Sequence, residues 1–263
     1  GDHRDLHSFP PRRSSDLIEP RIWPGADMGP ALNASTHLLI SASPAEDGDP
    51  VLTEWRDEIA QRASQLAWVG YLSTTGVYGD HQGDWVDENT PLTPATKRGI
   101  ARVEAEAAWA SIPNLPLHIF RLAGIYGPGR GPFSKVRNGT ARRIIKKGQI
   151  FSRIHVDDIA HVLAASIARP NPGAAYNVCD NDPAPPQDVI GYAAELLGVP
   201  LPPEVDFEDA EMSPMARSFY AESKKVDNTR IKEELGVKLI HPDYRSGLQA
   251  LLTQETSNTE TTS

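Results

Sequence analysis

From Ile18 onward, short apolar runs alternate with segments whose apolar residues recur at helical spacing. That alternation restricts the chain to strand-helix-strand units built on a parallel sheet. THLLISASP (36–44) reads as a strand ending in small residues, PVLTEWRDEIAQRASQL (50–66) as a helix, and AWVGYLST (67–74) as the next strand. KRGIARVEAEAAWASI (97–112) follows as a helix, and LPLHIFRLAGIYG (115–127) as a strand running into a glycine-rich bend. SRIHVDDIAHVLAASIAR (152–169) joins an extended piece to a helix whose expected N-cap is Asp157 or Asp158, because a carboxylate there accepts orphan backbone N–H groups. AAYNVCD (174–180) is one more strand, and segments 185–203 and 227–239 supply helices between proline-rich turns. The expectation is an α/β core with a smaller C-terminal lobe folded over its carboxyl edge.

Composition narrows the function. With 263 residues, 39% of them apolar, the chain is long enough to bury a core. No apolar run approaches the ~20 residues of a membrane span, and the polar N-terminus lacks the apolar centre of a secretory signal. Cys179 is the only cysteine, so no disulfide can form within the chain and a cytoplasmic location is the default expectation. A net charge of −9 argues against general nucleic-acid binding. Residues 1–17, GDHRDLHSFPPRRSSDL, carry no periodicity. The string SFPPRRSSDL resembles the conceptual translation of a sequencing adapter, so this segment is expected to be non-native or, alternatively, a disordered basic arm. EPRIWPG (19–25) resembles a strand end, and residues 253–263 are polar and aperiodic, hence expected to fray. The folded part is expected over 18–252.

YLSTTGVYGD (71–80), FRLAGIYGPGRG (120–131), RIHVDDIA (153–160) and AYNVCD (175–180) occur in that order, with RIKEELG (230–236) behind them. Together they resemble the landmarks of the extended short-chain dehydrogenase/reductase family, which includes nucleotide-sugar epimerases and dehydratases. The resemblance implies a Rossmann-like, doubly wound parallel sheet binding NAD or NADP, with a small-molecule substrate held between the sheet and the C-terminal lobe. Open α/β sheets bind ligands outside the carboxyl ends of their strands, where small residues let a flat cofactor approach the backbone. Ser41, Ala42, Ser43, Ser73, Thr75, Leu122, Ala123 and Gly124 fall at such ends and form the expected cofactor set. The alternative is that Gly and Ser merely terminate strands. Neither the family's glycine-rich first turn nor its selector residue for NAD over NADP occurs upstream of residue 36. The chain is therefore expected to lack the first strands of the sheet, to expose the 36–43 strand as an edge, and to bind NAD(P) weakly.

By resemblance, Thr74 occupies the position of the family's catalytic Ser or Thr, where a hydroxyl stabilises developing negative charge on a substrate oxygen. The family's catalytic Tyr and Lys, four residues apart on a helix, have no counterpart. Counting from the helix glutamates, Arg98 and Arg102 match those positions, or lie within two residues of them. Arginine stays protonated, so it can hold an anion but not exchange protons near neutrality. This points to an atypical subgroup. The plainer alternative for Arg102 is a surface ion pair with Glu106. Arg130, Lys135, Arg137, Arg142, Arg143, Lys146, Lys147 and Arg153 crowd one region and suit an anionic substrate, or else a solvated cationic helix. Tyr126, Arg130 and Arg153 are the expected substrate-binding residues. In HVDDIAH (155–161) a metal site is rejected, because capping accounts for both carboxylates. Two functions remain: an NAD(P)-dependent oxidoreductase or epimerase/dehydratase acting on an anionic small molecule such as a nucleotide sugar, or an inactive NAD(P)-binding regulator of the same fold.

Overall fold

A computed structural model describes residues 19–45 and 47–260, and the expectations for residues 1–17 lie outside them. Residues before Thr36 form a unit of their own. There EPRIWPG makes a turn rather than a strand, and α1 (Gly29–Ala34) follows with a proline in its first turn.

The second unit begins with β1 (His37–Ile40), α2 (Pro50–Arg62) and β2 (Trp68–Thr74). Next come β3 (Trp85–Val86), α3 (Lys97–Ala110), β4 (Leu117–Leu122), β5 (Gly124–Tyr126) and α4 (Phe133–Arg137). The chain continues through β6 (Arg143–Ile145), β7 (Arg153–His155), α5 (Val156–Ala168), β8 (Ala175–Val178) and α6 (Pro186–Leu196). It ends with β9 (Glu204–Asp206), α7 (Pro214–Phe219), β10 (Lys225–Val226), α8 (Thr229–Glu233) and α9 (Tyr244–Glu260).

The four main strands pair in parallel in the order β1-β2-β4-β8, the sheet that the alternating pattern requires. β2 and β4 lie inside and are buried on both faces, which is why they read as continuous apolar runs. Gly70 leaves room for the Trp68 indole, with which a Cβ there would collide. Trp68, Phe120, Ile154, Tyr176 and Ile231 then build one core. On the other face, the buried Asp49 caps α2 through the Val51 and Leu52 N–H groups and accepts from Trp109 Nε1 of α3 at 3.1 Å. Among the described residues β1 stands at one end of the strand order, with Leu39 52% exposed.

Register aligns the carboxyl ends: Thr74 lies beside Leu122, and Leu122 beside Val178. The expected single strand at 115–127 is two strands. Ala123 N–H still donates to Val178, but Gly124 N–H donates to Ser152, and β5 leaves the sheet to pair with β7. The chain thereby passes from the sheet to a second core of Tyr126, Phe133, Val189, Tyr244 and Leu248 among α4, α6 and α9.

One further expectation needs correction. The N-cap of α5 is His155, whose Nδ1 accepts from Asp157 N–H at 3.2 Å, while the Asp158 carboxylate accepts from the N–H groups of Ile240 (2.6 Å) and His241 (3.0 Å). A long-range bond thus claims the group that a local reading gives to the cap. α9 runs to Glu260, with the Thr253, Thr256 and Ser257 hydroxyls bonding carbonyls one turn back, and residues 261–263 of the tail expected to fray lie outside the described residues. No helix among the described residues is long and apolar enough to cross a membrane.

Candidate active site

The end of β2 turns directly into a 3-10 turn, Thr75–Tyr78, and Thr74 is its N-cap. Thr74 Oγ1 accepts from Gly76 N–H at 3.2 Å, which occupies a lone pair and leaves the hydroxyl proton available for donation. Ser73, buried, donates to Glu106 Oε1 of α3 at 2.5 Å. Glu106 in turn holds Arg121 of β4 through Nε (3.3 Å) and Nη2 (2.9 Å). Arg121 Nη1 donates to the Tyr78 hydroxyl at 2.9 Å, and Tyr78 donates to Asn177 of β8 at 2.7 Å. A buried polar chain therefore ties the carboxyl ends of three adjacent strands together beneath Thr74. Burial pushes the Tyr78 hydroxyl up to about 12, against the opposing pull of the Arg121 guanidinium.

The other expected cofactor residues gather at the same edge of the sheet. Ser41 and Ser43 are exposed and Ala42 half-buried beyond β1, Thr75 is half-buried, Leu122 and Ala123 are buried at the end of β4, and Gly124 is exposed. Arg102 joins two of these ends: Nη1 donates to Leu72 O (2.8 Å) and the Tyr71 hydroxyl (3.0 Å), and Nη2 to Ser43 Oγ (2.9 Å). It does not pair with Glu106, which Ser73 and Arg121 occupy. Arg98 is exposed one turn earlier on α3, its guanidinium 5.9 Å from the Phe219 ring centroid on α7. Burial raises Tyr71 to about 12 and also pushes up Tyr126, Tyr176, Tyr220 and Tyr244. Every tyrosine with a resolved shift thus moves away from the proton-donating range that the family's tyrosine needs.

Tyr126 and Arg130 from the 120–131 stretch and Arg153 from β7, all expected to bind substrate, line one cleft of about 630 Å³. Lys135, Arg142, Tyr220 and Tyr244 share the wall, with Ile144, Val189 and Leu248 supplying apolar surface and Glu211 an acid. The cationic stretch is not one helix: α4 ends at Arg137 and Arg143 starts a strand. Arg153 Nη1 donates to the carbonyls of Phe151 (2.9 Å) and Ala184 (3.0 Å), and burial pulls its pKa down despite the charge of Asp180. No hydrogen bond or ion pair within the described residues engages the side chains of Arg130 and Lys135, both exposed, so both are available to an anion.

Asp180, behind this wall, escapes sequence reasoning. Its Oδ1 accepts from Asp182 N–H at 3.2 Å, its Oδ2 is buried without a partner, and burial raises its pKa to about 8. An acid at the end of a strand looks like a turn residue in the sequence. Arg121 escapes it too, and so does the true partner of Glu106, since nothing local marks the two as facing each other.

No family model matches the chain. Protein YeeZ of Escherichia coli (strain K12) is 30% identical over 233 residues, covering 86% of this chain and 79% of YeeZ. A solved structure described as a functionally unknown conserved protein from Silicibacter pomeroyi is 67% identical, covers 90% of this chain and 83% of its own, and superposes with a TM-score of 0.87. Another, described as an NAD-dependent epimerase/dehydratase from Methylobacillus flagellatus, is 32% identical over 73% of this chain and 66% of its own, with a TM-score of 0.56. With its parallel sheet, its landmark segments and these relatives, the chain shares a family with YeeZ and is itself a member of the short-chain dehydrogenase/reductase family, of the NAD-dependent epimerase/dehydratase-like kind.

Proposed function

We propose that the protein is an atypical NAD(P)-dependent oxidoreductase or epimerase/dehydratase-like enzyme acting on an anionic small molecule, of which a nucleotide sugar is the leading candidate. The observation that carries this reading is the convergence of Tyr126, Arg130 and Arg153 on one cleft. Ile125, also in that cleft, lies three residues along the chain from Leu122, the register partner of Thr74.

In this reading the Thr74 hydroxyl donates to a substrate oxygen as negative charge develops there. Arg130 and Lys135 bind the anionic part of the substrate, and Arg153 lends charge from a more buried position. Arg102 is a positioning residue that holds the ends of β1 and β2 together, and Arg98 orients the substrate without exchanging a proton. The small residues at the strand ends fit the approach of a nicotinamide and its ribose. When bound, NAD or NADP supplies the hydride acceptor.

The missing tyrosine favours a second reading, an inactive cofactor-binding regulator of the same fold. Turnover separates the two. Cofactor reduction is assayed over a panel of sugar nucleotides for wild type, Thr74→Val and Arg98→Ala. Loss of turnover in Thr74→Val supports the enzyme, unchanged turnover removes Thr74 from the chemistry, and no turnover of any substrate by wild type at a cofactor concentration that calorimetry shows to be saturating favours the regulator.

A further inference from the structure

His155 closes β7 and caps α5, two residues before Asp157. The grip of Asp158 on the Ile240 and His241 N–H groups lays a segment 82 residues away over the start of that helix. As a result the rings of His155 and His241 sit 4.1 Å apart, centroid to centroid, and both face the Asp157 carboxylate. The separations are 3.6 Å from His155 Nδ1 to Asp157 Oδ2 and 3.8 Å from His241 Nε2 to the same oxygen.

These separations are too long for hydrogen bonds. They are close to what a shared cation requires: bonds of about 2.0–2.1 Å in a tetrahedral arrangement put the donors roughly 3.3–3.5 Å apart. The three donor atoms all lie within 4.8 Å of one another. No hydrogen bond within the described residues uses the Asp157 carboxylate, because His155 has taken over the cap and Asp158 the long-range bond. His161, the other histidine of the same motif, is exposed and stands outside the cluster.

We propose that His155, Asp157 and His241 bind a borderline transition-metal dication, with Zn²⁺ as the reference ion. Two imidazoles and one carboxylate suit Zn²⁺, Co²⁺ or Ni²⁺ better than Mg²⁺ or Ca²⁺, which prefer all-oxygen sites. His155 and His241 are 2% and 8% exposed and provide a dry side, while the Asp157 side chain, 62% exposed, leaves water access to the remaining coordination positions. Binding displaces the 3.2 Å bond from Asp157 N–H to His155 Nδ1, and the two acids in the first turn of α5 offset the repulsion between a cation and a helix N-terminus. The Tyr126 ring packs T-shaped against His155, centroids 5.1 Å apart. The ion therefore sits behind the cleft wall as a clamp between residue 241 and α5, outside the reaction itself.

The test uses the full chain, stripped with EDTA and titrated with ZnCl₂ by calorimetry and with CoCl₂ by visible absorption. Wild type should take up one ion per chain, gain thermal stability, and show d–d bands of low-symmetry Co²⁺ coordination. His241→Ala and Asp157→Asn should abolish these signals, and His161→Ala should retain them. Asp157 is exposed and its carboxylate unbonded, so the Asn variant keeps the test valid should His241→Ala fail to fold. No uptake by wild type, uptake undiminished in Asp157→Asn, or equal loss in His161→Ala would overturn the proposal.

Discussion

Glu106 and Arg121 are 4% and 6% exposed and lie 2.9 Å apart, and the hydroxyls of Ser73 and Tyr78 complete their bonding. Removing one partner strands a buried charge. Glu106→Ala should therefore cost about 3–5 kcal/mol in urea unfolding at pH 7, and Glu106→Leu with Arg121→Met should recover part of the loss; additive costs in the double variant would refute the coupling. Asp180 makes a different prediction. Its folded pKa of about 8 lies well above the ordinary carboxylate value of 3.8, so the folded state holds the proton longer. The associated stability is complete below about pH 4 and is lost as the pH rises toward 8, amounting to a few kcal/mol at roughly 1.4 kcal/mol per unit. Asp180→Asn should flatten that slope in melts taken from pH 4 to 9, and a slope identical to wild type would show that Asp180 does not titrate in this window. At this scale the sequence is legible where a residue belongs to a local motif, as Thr74 does after a strand. Partners such as Ser73 and Glu106, 33 residues apart, meet only once a helix has packed on the sheet.

α5 shows what periodicity can and cannot resolve. Its existence follows from the apolar spacing over 152–169, but its cap does not, because an acid in the first turn and an acid at the N-cap satisfy the same electrostatic preference. The structure uses Asp158 as a tether, with both oxygens on backbone N–H groups of the 240–241 segment. Asp158→Ala should therefore cost about 3 kcal/mol, the scale of leaving one buried and one half-buried donor unpaired. It should also speed amide exchange at Ile240 and His241 well before α5 itself opens, and uniform loss of protection along α5 would instead mark Asp158 as a cap. The expectation of one strand at 115–127 fails for a related reason. The strand propensity persists through Ile125 and Tyr126, yet the hydrogen-bond partner changes from Val178 to Ser152 within one residue, and only tertiary context specifies that switch.

For the molecule as a whole, the net charge of −9 and the cationic cleft act at different ranges. Long-range repulsion disfavours extended polyanions, whereas Arg130 and Lys135, uncommitted at the cleft, act within a few ångströms on a small anion that has already entered. UDP, a compact diphosphate anion, should therefore bind with an affinity that falls as salt rises, while duplex DNA should not bind even at low ionic strength. Each charge-assisted contact is worth about 1.5–3 kcal/mol, so Arg130→Ala with Lys135→Ala should weaken UDP binding by about a hundredfold in calorimetry. Arg142, whose Nη1 already donates to the carbonyls of Gly139 and Ala141, should matter far less when replaced by alanine. Were the double variant to bind UDP as wild type does, the cleft cations would be solvated surface charge, as the cationic-helix alternative holds, and the anionic substrate would have to be sought at the strand ends instead.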